Sequence, residues 1–233
     1  MSSVFWFVFQ LIVHLQMLAI AEEGVLVEGI VTYDGPVPAP IPVAEAGIER
    51  ELVEVDFPTK GLKDAVVWVE TMSVTGNEVR QNPAETLVMD QQNFCFFPHV
   101  LSLTAGQKVE FRNSDVANHG VIARSLEPKN QFNRVTPPGG TFTHPFAASK
   151  HAVAIGCPLH SAMAAWIYVF DHPYHAVTDV KGRFKLPSLP VGHYRLRIHH
   201  IDGKLQKAMD FDVENEKPVR LNIQLHELDR QPA

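Results

Sequence analysis

The stretch CPLHSAM, residues 157–163, sets a cysteine, a histidine and a methionine at intervals of three. A packed core has no use for this trio, because Leu or Val fills space better. Pro158 follows the cysteine directly, and strand-like runs stand on either side: AVAIGC (152–157) and WIYVF (166–170). The segment therefore reads as a loop between two strands, not as a helix face. Thiolate, imidazole and thioether together are soft donors of the kind that suit copper. The chain holds 12 His and 6 Met in 233 residues. A given cysteine meets this pattern by chance about 0.1% of the time, so the spacing is informative.

Outward from this loop the chain keeps one character. Short β-branched and aromatic runs alternate with Gly, Pro, Asn and Asp: VLVEGIVTY (25–33), DAVVWVE (64–70), KVEFRN (108–113), GRFKL (182–186), HYRLRIHH (193–200) and VRLNIQL (219–225). DVKG, LPVG and IDGK mark turns among the last of them. Many short strands with turn signals between them predict an all-β protein of sandwich or barrel type. The 17 prolines suit turns and sheet edges. A formal charge of −6, with 20 basic residues scattered among 26 acids, excludes a nucleic-acid binder. Neither a phosphate-binding glycine loop nor a Gly-x-Ser-x-Gly elbow is present. No enzymatic activity is expected.

The first 21 residues, MSSVFWFVFQLIVHLQMLAIA, carry no Lys, Arg, Asp or Glu and end in Ala-Ile-Ala. An apolar run closed by a small-x-small site reads as a secretory signal peptide over residues 1–21. The rival is an uncleaved anchor over residues 4–20. Either way the rest is expected outside the cytoplasm, with no membrane span after cleavage. Two cysteines, Cys95 and Cys157, would in an exported chain pair as a disulfide, which competes with a metal role for Cys157. Cys95 and His99, in CFFPH, could be a second metal pair, but two residues do not make a site, and the favoured reading is Cys95 packing as a small hydrophobe in its strand. The remaining histidines, including His144, His151, His172, His175, His193, His199 and His200, are expected mostly in solvent. The tail after residue 226 is expected to fray.

Upstream of the loop lies FFPHVLSLTAGQKVEFRNSDVANHG, residues 96–120. An F-x-P strand, a Gly turn at Gly106, a second strand and an Asn-bearing loop ending in His119 follow one another. With CPLHSAM downstream, residues 85–171 resemble the small blue copper proteins, the cupredoxins of plastocyanin and amicyanin type. The resemblance implies a Greek-key β-sandwich holding one type 1 copper ion per chain on His119, Cys157, His160 and Met163. It implies single-electron transfer to a redox partner protein that the sequence does not identify, with the oligomeric state left open. Two imidazoles and a thiolate with a weak axial thioether are the donor set for such a centre. One departure stands out: the family has Asn after the first histidine, and here that residue is Gly120.

The flanks carry a second resemblance. VEGIVTYDGPVPAPIPV (27–43) and AVTDVKGRFKLPSLPVGHYRLRIHH (176–200) resemble the opening and closing parts of carboxypeptidase regulatory-like, transthyretin-like β-sandwiches. The implied organisation is residues 22–84 and 172–233 as two parts of one small sandwich, with the copper domain, 85–171, inserted between them; the alternative is a tandem arrangement in which the N-terminal strands extend the copper domain. Two rival functions stay open: copper delivery without a redox role, and a carbohydrate- or surface-binding sandwich in which the copper fold is degenerate.

Overall fold

The computed structural model describes residues 24–73, 85–214 and 217–231. The signal segment, 1–21, and its anchor alternative lie outside the described residues. Among the described residues no helix is long and apolar enough to cross a membrane.

The described chain is built of strands in two bodies, each with its own apolar core. In the first, strand Val25–Tyr33 lies between Arg183–Leu189, antiparallel, and Val219–Leu225, parallel. A four-stranded sheet faces it, in the order His175–Val177, Val66–Ser73, Gly192–His200 and Leu205–Val213. Side chains of a strand alternate between faces. The alternation in VRLNIQL therefore sends Leu221, Ile223 and Leu225 inward, and that in HYRLRIHH sends Tyr194, Leu196, Ile198 and His200 inward. The apolar members of both sets meet Val27, Val31 and Tyr33 in one buried cluster. The segments before and after residues 85–171 thus share a single core.

The second body lies wholly between them in sequence. Its five-stranded sheet runs Phe132–Thr136, His119–Arg124, Val153–Gly156, Ala164–Phe170 and Val100–Thr104. Its four-stranded sheet runs Thr141–Pro145, Lys108–Asn113, Thr86–Gln92 and Cys95–Phe97. Met89, Leu103, Val109, Phe111, Val121, Ile155 and Ile167 fill the space between. The all-β expectation, with one sandwich set into another, describes this chain.

Two backbone segments of the first body touch with nothing between them. Gly182, at φ +74°, has room for no side chain: a Cβ there would stand 2.2 Å from the Val31 carbonyl oxygen and 2.7 Å from the Gly61 Cα. A Cβ on Gly61 would stand 2.0 Å from the Lys181 carbonyl oxygen. The contact is fixed by Val31 N–H donating to Gly182 O and Leu62 N–H donating to Val31 O, both 2.8 Å.

The two bodies meet along an aromatic seam. Val66, Val100 and Tyr168 are buried there, with Trp68, Trp166, Phe170 and Ile201 packed around them. Polar links cross it as well. His99 bonds the Asp202 carboxylate, Trp166 Nε1 donates to the same carboxylate (3.2 Å), and Arg50 donates to the Ala164 carbonyl (3.1 Å). Tyr168 pairs with His199 across 2.8 Å.

Two expectations from the sequence need correction here. The tail does not fray at residue 227: Glu227–Asp229 form a 3-10 turn and Arg230 donates to the Tyr33 hydroxyl (2.9 Å). Among the histidines expected in solvent, His200 is buried and His144, His172, His175 and His199 are partly enclosed. His200 faces the first core, and His175 is held between the Ser102 and Thr104 hydroxyls of the second body. Burial lowers both imidazoles from the ordinary 6.5 to about 4, with the neighbouring His172 adding to the effect at His175.

That shift makes stability depend on pH. Below 6.5 the unfolded chain takes up protons that the folded chain accepts only near 4. Stability from keeping these rings neutral is therefore complete above the upper value and lost as pH falls toward the lower. Each ring contributes a slope of up to about 1.4 kcal/mol per pH unit in that window. Denaturant midpoints at pH 7 and pH 5 should fall less far apart in His200→Asn and His175→Asn than in the parent. An equal fall in all three would place the acid sensitivity elsewhere.

Candidate metal centre

Three neighbouring strands of the five-stranded sheet end together. Val153–Gly156 and Ala164–Phe170 are antiparallel partners in register at Gly156 and Ala164, so the seven residues between them form a tight loop. Cys157 N–H donates to the Met163 carbonyl and Met163 N–H to the His160 carbonyl, both 3.2 Å, which closes the loop on itself. His119 opens the next strand, which pairs with Val153–Gly156 on one side and Phe132–Thr136 on the other.

This convergence brings His119, Cys157 and His160 into one group, with their ligand atoms all within 4.8 Å of one another. His119 Nδ1 and His160 Nδ1 are 3.0 Å apart, and Cys157 Sγ is 3.6 Å from His160 Nδ1. Donors bound to one ion at roughly 2.0–2.3 Å have separations of this size. His119 is fully buried and Cys157 nearly so, whereas His160 is half-buried and gives the group its contact with solvent. Met163 stands at the other foot of the loop, buried in the same core as Cys157.

The second nitrogen of His119 is also committed. Its Nε2 lies 2.8 Å from Asp115 Oδ2. An ionised carboxylate only accepts, so the proton sits on Nε2 and the Nδ1 lone pair points into the group. Partial burial alone would raise the Asp115 carboxyl, but the Phe94 N–H, the His119 ring and the Asn93 N–H outweigh it and hold the group below its ordinary value. Asn113, itself buried, donates to the Ala117 and Thr136 carbonyls and accepts from Asp115 N–H, which shapes the loop leading to His119.

Cys157 Sγ accepts from Gly120 N–H at 3.4 Å. Both cysteines are free thiols, so the sulfur faces the imidazoles and not Cys95. The donor chemistry fits copper: a cysteine sulfur and two imidazoles, with His119 Nε2 held by Asp115 and the sulfur held by Gly120 N–H.

Gly120, where the family pattern has Asn, now has a steric reason. A Cβ there would meet Pro158 Cδ at 2.9 Å and Cγ at 3.0 Å. The proline ring directly after the cysteine fills the space a side chain would need, so the two residues are matched. Gly120→Asn should destabilise the metal-free protein by about 1–3 kcal/mol. Adding Pro158→Ala should recover most of the loss in denaturant unfolding. A fully stable single variant would show that the ring can move aside.

Asp115 and Phe94 escaped the reading of the sequence. The only signal for the first was an acid four residues before His119; the second had none. His99, weighed in the sequence only as one half of a metal pair with Cys95, is part of the seam between the bodies.

No family model matches the chain, and no curated protein does. Solved structures give partial likenesses. The Cu(I) form of a mutant of amicyanin is 15% identical, with 46% of this chain and 98% of that one covered at a TM-score of 0.33. A Cu-containing nitrite reductase from Thermus scotoductus SA-01 is 16% identical, with 60% of this chain and 28% of that one covered at 0.33. A purple cupredoxin from Nitrosopumilus maritimus is 18% identical, with 36% of this chain and 98% of that one covered at 0.31. What the centre can do follows from its own atoms.

Proposed function

We propose that this chain is an exported type 1 copper protein that carries single electrons. The observation that supports it is the meeting of two imidazole Nδ1 atoms and the Cys157 sulfur at one end of the second sandwich. His119, Cys157 and His160 would hold one copper ion, with the Met163 thioether as a weak fourth donor. Bound copper would supply the one-electron couple between Cu(I) and Cu(II).

The protein's part is to keep the donors still. The short loop fixes Cys157 and Met163 to adjacent strands, and Asp115 fixes the tautomer and angle of His119. Gly120 N–H donates to the sulfur, and burial keeps bulk water from the buried pair. His160 alone is half-exposed, beside exposed Pro158 and Leu159, and would be the contact for a redox partner. No substrate bond is made or broken in this reading. Export rests on the apolar, small-x-small character of residues 1–21, and the first body is read as a transthyretin-like scaffold from the motifs at 27–43 and 176–200.

The test is a visible spectrum of reduced residues 22–233 given one equivalent of Cu(II), followed by voltammetry. An intense thiolate-to-copper band with a reversible one-electron wave is expected. Unbound copper, or rapid loss of copper to a weak chelator, would overturn the electron-carrier reading.

A further inference from the structure

We infer that Phe94 and Asp115 form a clamp that closes one flank of the centre against water and small anions. The inference rests on the copper reading above and concerns this chain's own residues at that site.

The observation begins in a hairpin. Gln92 pairs with Cys95, so only Asn93 and Phe94 make the turn. Both are left-handed, at φ 52° and 56°. Two-residue hairpin turns of this kind favour Asn followed by Gly, because both positions need positive φ. Asn93 meets the first demand. Phe94 does not meet the second, since a bulky side chain is strained there. A glycine would turn the chain more easily, so an aromatic ring at this point calls for another explanation.

Its surroundings supply one. Phe94 stands edge-on to His119, with centroids 5.2 Å apart at 90°, and edge-on to His160, at 4.9 Å and 89°. The two imidazoles are themselves 4.9 Å apart at 78°. Three rings thus lie nearly at right angles, and Phe94 touches both of the proposed nitrogen donors. Perpendicular contacts of this kind are favourable and directional.

The turn is held from outside. Asp115 Oδ1 accepts from Asn93 N–H at 2.7 Å, and Asp115 Oδ2 accepts from Phe94 N–H at 2.9 Å. The same Oδ2 bonds His119 Nε2. One carboxylate therefore sets the position of the covering ring and of the imidazole it covers. Phe94 is a positioning and shielding residue, and Asp115 is the hinge that couples it to His119.

Phe94→Gly separates this role from a merely structural one. It relieves the backbone, so thermal stability of the metal-free protein should hold or rise. Shielding should nevertheless be lost. Alkylation of Cys157 by iodoacetate in the metal-free protein, followed by peptide mapping, should become about tenfold faster or more, because thiol reactivity follows access. Copper-loaded Phe94→Gly should show a new azide-dependent absorption that the parent lacks. Phe94→Tyr should behave as the parent, and Asp115→Ala should shift alkylation in the same direction as Phe94→Gly. Equal alkylation rates in the parent and Phe94→Gly would overturn the clamp. Failure of the parent to form a thiolate–copper band would instead strike the copper reading, and the alkylation result would still decide the clamp.

Discussion

Copper-loaded Cys157→Ser is expected to be colourless, with affinity for Cu(I) reduced by two orders of magnitude or more. The sulfur is nearly buried, 3.6 Å from His160 Nδ1, and accepts the Gly120 N–H. A serine hydroxyl fits the same space but stays protonated and is a hard donor, so it offers neither the soft bond that Cu(I) prefers nor a low-energy charge-transfer transition. Losses from disturbing only the outer shell of a metal site run at about 10–100-fold, so removing a ligand should exceed them. Because the change is nearly isosteric, metal-free unfolding should move by less than about 1 kcal/mol. Spectra and competitive Cu(I) titration of Cys157→Ser beside Cys95→Ser check this. A band that survives in Cys157→Ser and vanishes in Cys95→Ser would place the thiolate on the other cysteine.

The second large effect lies in the first body. Gly182→Ala is expected to destabilise the first body by about 3 kcal/mol or more, combining strain at a positive φ with overpacking of a closed contact. The new methyl would meet the Val31 carbonyl oxygen at 2.2 Å and the Leu62 nitrogen at 2.7 Å, both backbone atoms that cannot rotate away. Gly47→Ala and Gly139→Ala are the controls. They sit at φ +64° and +71° with nothing within 4 Å of the added carbon, so they report strain alone. Denaturant unfolding of the three variants should give one large loss and two of about 1 kcal/mol. Equal losses in all three would show that the backbone contact yields. The copper band of Gly182→Ala should persist at low temperature, because the second body has its own core.

Much of this was legible in the chain. Period-two alternation exposed the strands, and the order of motifs exposed one sandwich set into another. Cys157 and His160 stood out by donor type and spacing, and His119 by the resemblance; the structure brings the three side chains together. Supporting contacts were not legible. Asp115 acts on a turn 21 and 22 residues away, and His99 meets Asp202 across 103 residues. Nothing local marks such pairs. Phe94 was hidden for another reason: its backbone conformation is one that its side chain disfavours, so propensity pointed away from it. His175, His199 and His200 looked solvated because imidazole is polar, and only the seam and the first core show what encloses them.

The set-in arrangement also orders events in time. Thr32 on the central strand of the first body bonds Ile223, 191 residues later. At about 5–20 residues per second, synthesis leaves that strand without its partners for roughly 10–40 s. Every strand of the second body, from Thr86 to Phe170, emerges within that interval. The second body can therefore finish folding while its host is still an open chain. The host's unpaired strand edge is the part exposed to wrong partners during that wait.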